Sequence, residues 1–124
     1  MSLCLFAGAK ATKLASLAFT LAWTHSVQKT TWEEDWLLTG DGLIVTQARV
    51  EGSGAGMEPG ADARFDGRFW RWRPQMQPVP ELVLHNSEMM PEGWRLCVNG
   101  VCRNVAGASD PVANVRLARC PPPD

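Results

Sequence analysis

Apolar and polar side chains alternate along most of this 124-residue chain, and the periodicity of an amphipathic helix is scarce. Such alternation is typical of half-buried strands, because successive side chains point to opposite faces of a sheet. Turn-forming and proline-rich segments separate the alternating runs. We therefore predict an all-β fold, an antiparallel sandwich or partly open barrel of about eight to nine short strands, forming one domain over residues 1–124. The predicted strands are Leu3–Ala7, Ala18–Thr24, Thr31–Leu38, Leu43–Glu51, Gly67–Arg73, Leu82–His85, Trp94–Val98, Val101–Val105 and Val115–Ala118.

The segment WTHSVQKTTWEEDW predicts a β-hairpin that turns at residues 28–29. In this register Trp23 faces Glu34 across the strand pair. His25 faces Trp32, one pair further on the same side of the ribbon. That side also carries the large apolar residues of both strands, so we predict that it is buried.

A second hairpin, over the turn TGDG, extends this buried side to a third strand. Gln47 is then predicted to face Glu34, and Arg49 to face Trp32. Long side chains reach diagonal neighbours in such a ribbon. The two hairpins together predict one inward polar cluster with an aromatic wall, composed of His25, Glu34, Gln47, Arg49, Trp23 and Trp32.

Three interpretations of this cluster are open at the level of sequence. Glu34 can simply pair with Arg49, since buried charges require partners. The guanidinium and the aromatic wall can instead bind a small carboxylate or a sugar. His25 and Glu34 can also act as the acid–base pair of a small hydrolase, but the neighbouring Ser26 faces the other side of its strand. We predict a non-catalytic binding domain, with no catalytic residues assigned.

The opposite side of the same hairpin offers a protein–protein adaptor as the alternative function. It presents polar side chains that a transporter component could contact, together with the glycine-rich loop that follows. This outward ladder consists of Thr24, Ser26, Thr31, Glu33 and Asp35.

The four cysteines predict two disulfides. In LCVNGVC, the Asn-Gly pair is the preferred centre of a type I′ hairpin, which places Cys97 opposite Cys102. Cys4 and Cys120 can then join the first strand to the last. A zinc site is the competing interpretation of the first pair, but Cys4 and Cys120 are not spaced as a second ligand pair. Disulfides indicate an oxidising compartment, either the periplasm or the cell exterior.

Charge and composition exclude several classes of partner. The formal net charge is −1, and FWRWR is the nearest approach to a basic aromatic repeat, so no nucleic acid is expected. No apolar run reaches about 18 residues, so no membrane span is expected. The stretch GSGAG lacks the context of a phosphate or dinucleotide loop, and no cofactor or metal is implied. Six tryptophans and no tyrosine suit a small core or an aromatic groove.

The run FTLAWTHSVQKTTWEEDW, followed by LIVTQARVEGSGAGMEP, resembles the signature of domain-of-unknown-function family 1850. PELVLHNS and RLCVNGVC resemble that family more loosely, so the likeness spans most of the chain. It implies a small exported protein encoded beside TAXI-type TRAP transporters, with an extracytoplasmic accessory role in solute uptake. Thr31 departs from the proline that members often carry. The matching positions are His25, Ser26, Val27, Lys29, Thr30, Glu33, Glu34, Gly54, Ala55 and Gly56.

Overall fold

A computed structural model describes residues 1–24, 30–52, 62–87, 91–107 and 114–122 of the chain. These residues form eleven strands and no helix, so the predicted all-β class is confirmed. The strands are β1 (Leu3–Ala7), β2 (Lys10–Lys13), β3 (Ala18–Thr24), β4 (Thr31–Thr39), β5 (Gly42–Glu51), β6 (Arg64–Phe65), β7 (Phe69–Trp72), β8 (Glu81–His85), β9 (Trp94–Val98), β10 (Val101–Val105) and β11 (Asn114–Arg119).

All nine predicted strands are present within a few residues of their predicted bounds. The predicted number is nevertheless too low, because β2 and β6 were missed. These strands have four and two residues, which is too short to show an alternation of apolar and polar positions. Both lie at the edge of a sheet, where burial places the weakest demand on the sequence.

The strands form two antiparallel sheets that pack as a sandwich. One sheet has four strands in the order β2-β1-β11-β8, and the other has seven in the order β10-β9-β3-β4-β5-β7-β6. Leu3, Leu5 and Leu117 from the first sheet share a buried core with Leu21 and Leu96 from the second. We call the face of the seven-stranded sheet toward this core the inner face, and its opposite the outer face.

Both predicted disulfides are confirmed. Cys97 pairs with Cys102 across β9 and β10, with their Cα atoms 4.0 Å apart. The turn between them has φ values of 51° at Asn99 and 80° at Gly100, as a type I′ hairpin requires. Cys4 is bonded to Cys120, beside the ladder that joins β1 to β11.

The predicted register of β3 and β4 is wrong by two residues, although the faces are right. Trp23 faces Trp32 rather than Glu34, and Leu21 faces Glu34. The last pair in this ladder is Thr24 with Thr31, so the two strands are not paired as far as the predicted two-residue turn at 28–29 requires. A shift of two residues keeps every side chain on its original face. His25, Ser26 and the predicted turn lie outside the described residues.

The predicted register of β4 and β5 is right at the TGDG end and wrong beyond it. Trp36 faces Val45 as expected, but a β-bulge follows at the step from Trp36 to Asp35. Thr46 is the extra residue of the bulge, and its hydroxyl donates to the Asp35 carbonyl oxygen at 3.2 Å. One extra residue on one strand exchanges the faces of all residues that follow. Gln47 and Arg49 therefore lie on the outer face rather than on the inner one.

Candidate functional site

The predicted inward cluster does not form, because the bulge separates its members. Glu34, Trp23 and Trp32 lie on the inner face, as predicted. Arg49 and Gln47 lie on the outer face, where they pair with Glu33 and Asp35 in the ladder. Among the described residues, the members of the predicted cluster consequently lie in two separate groups, one on each side of the seven-stranded sheet.

Arg49 is the centre of the outer site. Its Nε donates to Glu33 Oε1 at 2.6 Å, and its Nη1 and Nη2 donate to the two Asp35 oxygens at 2.9 and 3.2 Å. The side chains of Arg49 and Glu33 are only 13% and 16% exposed. This two-acid arrangement satisfies the planar donor fork of the guanidinium from both sides.

The electrostatics of the outer site follow from this pairing. Burial alone would raise the pKa of Asp35, but hydrogen bonds from Arg49 and Thr20 outweigh it, and the pKa is lowered from 3.8. Burial would likewise lower the pKa of Arg49, yet the hydrogen bonds to Asp35 and Glu33 outweigh it and raise that pKa above its ordinary value. Both groups are therefore held in their charged forms.

Neighbouring strands extend this network across the outer face. Arg95 Nη2 donates to Glu33 at 3.1 Å, and the Thr20 hydroxyl donates to Asp35 at 2.7 Å. Gln47 Oε1 accepts hydrogen bonds from Arg49 and from Arg71. The acids of the predicted outward ladder are thus already neutralised within the chain. An adaptor surface that depends on free acidic side chains at these two positions finds no support in this geometry.

Four tryptophans form a continuous row on the inner face. Trp23 lies 4.9 Å from Trp94 and 6.2 Å from Trp32, and Trp32 lies 6.2 Å from Trp72, measured between ring centroids. The two central rings are nearly parallel, at 7°, whereas the Trp32 and Trp72 rings are almost perpendicular, at 85°. All four side chains are half-buried. We call this set the tryptophan row.

Most of the tryptophan row lies beyond the packed core. Trp94 packs against the core residues, but Trp23, Trp32 and Trp72 are not among them. On this part of the inner face the tryptophans lie beside Ala48 and Val50, which are buried but likewise do not belong to the core cluster. The other large aromatic residue of β4, Trp36, is buried within the core.

Glu34 is the acidic group beside the tryptophan row. It lies on the inner face of β4 between Trp32 and Trp36, and the Trp36 indole N–H donates to its Oε1 at 3.1 Å. Burial raises the pKa of Glu34 above 4.5, although the hydrogen bond from Trp36 acts in the opposite direction. Among the described residues, no cation forms an ion pair with this carboxyl group.

The raised pKa of Glu34 predicts a pH dependence of stability. The folded state keeps the Glu34 proton at pH values where the unfolded chain, with a pKa near 4.5, has lost it. The contribution of Glu34 therefore becomes less favourable as pH rises from 4.5 through the folded-state pKa. We expect Glu34→Gln to raise the free energy of unfolding by about 1 kcal/mol at neutral pH, because it removes a desolvated charge.

Urea denaturation at several pH values measures this effect. The gain from Glu34→Gln should vanish at pH 4 and below, where the parent carboxyl group is protonated in both states. Glu92→Gln, at an exposed position, is the control and should leave the stability unchanged at every pH. A Glu34→Gln variant that is less stable than the parent at neutral pH would contradict the prediction.

Two members of the tryptophan row, Trp72 and Trp94, were missed at the sequence level. The signal for Trp72 was present in FWRWR, whose alternation sends Trp70 and Trp72 to the inner face and Arg71 to the outer one. The signal for Trp94 was its position two residues before the buried Leu96. Assigning either residue to the row also requires the order of the strands in the sheet, which the sequence does not show.

Two features are absent from the part of the chain that the structure describes. No group of three or more His, Cys, Asp or Glu side chains there is arranged to hold a metal ion. Within the same ranges, no helix is long and apolar enough to cross a membrane.

Comparison with known proteins gives one match. The family model described as domain of unknown function (DUF1850) matches residues 19–105. Neither the curated proteins nor the solved structures include a match to this chain. The matched region runs from β3 to the end of β10, and it therefore contains both the tryptophan row and the Arg49 network. The chain belongs to the DUF1850 family.

Proposed function

We propose that this protein is a non-catalytic, extracytoplasmic accessory domain of TRAP-type solute uptake, and that the tryptophan row with Glu34 binds the solute. The observation that carries the proposal is the position of the row, since three of its four indoles lie beyond the core. Aromatic side chains with a few polar groups are the usual lining of small-molecule sites. The link to TRAP transport rests on the resemblance of the chain to exported proteins encoded beside such transporters.

The chemistry of the inner face favours a sugar over a carboxylate. The guanidinium that would pair with a carboxylate belongs to Arg49, which lies on the outer face and is saturated by Glu33 and Asp35. What remains on the inner face is flat aromatic surface and an acid. The apolar C–H faces of a sugar ring pack on indole rings, and its hydroxyl groups can donate to a carboxylate.

Geometry allows one ligand to contact both groups. Glu34 and Trp32 are two residues apart on the same face of β4, a spacing of about 7 Å along a strand. Among the described residues, Trp36 and Trp94 have an acceptor for the indole N–H, whereas Trp23, Trp32 and Trp72 have none. In this proposal ligand hydroxyl groups accept from those three.

The two disulfides support the proposed location. Structural disulfides persist in oxidising compartments and are rare in a reducing cytosol. Cys97–Cys102 joins β9 to β10, and Cys4–Cys120 joins β1 to the residue that follows β11. They support our proposal that the protein acts in the periplasm or outside the cell.

Isothermal titration calorimetry with a panel of neutral mono- and disaccharides tests the binding site. We expect one or more of them to bind, and Trp32→Ala and Glu34→Gln each to weaken that binding by roughly tenfold, a loss of about 1.4 kcal/mol. Quenching of tryptophan fluorescence during the same titration would report contact with the row. Trp32→Phe, which keeps a flat ring, should retain more affinity than Trp32→Ala.

Three results would count against the proposal. The first is a panel in which no sugar binds, and the second is binding that both variants leave unchanged. The third is formation of a hydrolysis product during titration, abolished by His25→Ala, which would indicate a hydrolase rather than a non-catalytic binding domain. Glu92→Gln is the matched control for the charge change.

A further inference from the structure

We propose a second binding site, specific for a carboxylate group, at the β6–β7 edge of the outer face, formed by Arg64, Arg71 and Arg73. Its arginines lie on the opposite face of the sheet from the tryptophan row, although Trp72 of that row also contributes to the lining of the concavity between them. The proposal rests on the arginines and does not depend on the function proposed above.

Three arginines stand directly opposite one another across these strands. Arg49 of β5 faces Arg71 of β7, and Arg71 faces Arg64 of β6. Arg73 follows two positions after Arg71 and lines the same concavity. Like charges placed directly opposite each other on a sheet destabilise it unless they are compensated.

The number of acidic partners per arginine decreases toward the edge of the sheet. Arg49 is bonded to two acids, and Arg71 to the single acid Asp66. Arg64 and Arg73 form no ion pair with any described residue. The arginines nearest the sheet edge, Arg64 and Arg73, therefore carry positive charge that the described part of the chain does not neutralise.

A concavity of 330 Å³ lies between these arginines. The three guanidinium groups there outnumber the two acids that line it, so its net charge is positive. The Gln47 amide and the Thr46 hydroxyl add further polar groups to its lining, and the acids are Asp62 and Asp66.

Arg71 is held in a fixed orientation at this site. Its Nε donates to Asp66, its Nη1 donates to Gln47 Oε1 at 3.0 Å, and its guanidinium lies 5.6 Å from the centre of the Phe69 ring. Asp66 is fixed in turn, because it accepts backbone N–H bonds from Phe69 and Arg68 at 2.7 and 2.9 Å. A guanidinium fixed in this way loses little freedom when it binds, and its remaining Nη2 donors suit a carboxylate oxygen.

The carboxylate can come from a free organic acid or from an acidic side chain of another protein, and two probes distinguish the sources. Succinate and a capped diglutamate peptide would be titrated separately into the full-length protein at low salt by calorimetry. We expect Arg64→Gln and Arg73→Gln each to weaken binding by roughly fivefold, and raised salt to weaken it further. Binding of succinate alone supports a free acid, and binding of the peptide, alone or with succinate, supports an acidic protein segment.

The control is Arg116→Gln on the four-stranded sheet, where the guanidinium pairs with Glu81 and lies over the Phe6 ring. It makes the same change in net charge without altering the site. The proposal is overturned if neither probe binds at millimolar concentration, or if Arg116→Gln weakens binding as much as Arg64→Gln does. A sugar titration of the Arg64→Gln variant should match that of the parent, since Arg64 is not a member of the tryptophan row and Trp72, which lines both sites, is unchanged in this variant.

Discussion

Replacing Cys4 and Cys120 together by serine is expected to lower the free energy of unfolding by about 5 kcal/mol, the larger of the two disulfide effects. The bond joins residues 116 positions apart, so it closes nearly the whole chain into one loop in the unfolded state. In the chain-entropy account, the stabilisation grows with the logarithm of loop length. The Cys97–Cys102 bond spans a separation of only 5 and should contribute about 2 kcal/mol in the same account.

Urea denaturation of the two double-serine variants, each with the remaining disulfide intact, checks this ordering. The Cys97→Ser/Cys102→Ser variant is the matched control, because it also removes two cysteines and one cross-link. Equal losses for the two variants would contradict the loop-length argument and indicate that local packing decides the effect. In that event the substitution at buried Cys4, which is only 5% exposed, would be the first cause to test.

Replacing Arg49 by methionine is expected to destabilise the protein by about 3 kcal/mol at neutral pH, because it leaves Glu33 and Asp35 partly buried without their main partner. Removal of one member of a desolvated ion pair costs more than removal of the whole pair. Thermal or urea denaturation measures the loss. The triple variant Arg49→Met/Glu33→Gln/Asp35→Asn should recover most of it.

The pH dependence of this variant gives a second check. The pKa of Asp35 is lowered in the folded parent, so its pairing contributes stability above 3.8 that is lost as the pH falls through the folded value. The difference between parent and Arg49→Met should therefore shrink as the pH is lowered below 3.8. Arg116→Met, on an exposed guanidinium with one acid partner, should cost well under 1 kcal/mol at any pH. A cost for Arg49→Met no larger than for Arg116→Met would contradict the central role of the network.

The two faces of the seven-stranded sheet are coupled through the strands that form them. In β7, Trp72 contributes to the tryptophan row while Arg71 contributes to the carboxylate site. In β4, the adjacent residues Glu34 and Glu33 lie on opposite faces, Glu34 beside the tryptophan row and Glu33 in the Arg49 network. Substitutions meant for one site should therefore be checked at the other, and the paired sugar and carboxylate titrations do this.

Much of the architecture could be predicted from sequence, and the reasons are local. The alternation of side chains defined the strands, and Asn99–Gly100 specified its own turn because both positions need positive φ. The partner of Cys97 followed from that turn alone. Residues within one strand were also assigned correctly relative to each other, since Trp23 and Leu21 share a face whatever the neighbouring strand does.

The tertiary structure alone decided how neighbouring strands are set against each other. Nothing in the composition of β5 marks Thr46 as an extra residue, because a bulge forms where packing on both faces and the twist of the sheet require it. Because of that one residue, Arg49 lies on the opposite face from Glu34 and forms its ion pairs with Glu33 and Asp35. Side-chain alternation is a property of a single strand and can be seen in the sequence. The register between two strands depends on the whole sheet, and in this protein it determines which side chains lie on the same face and contact each other.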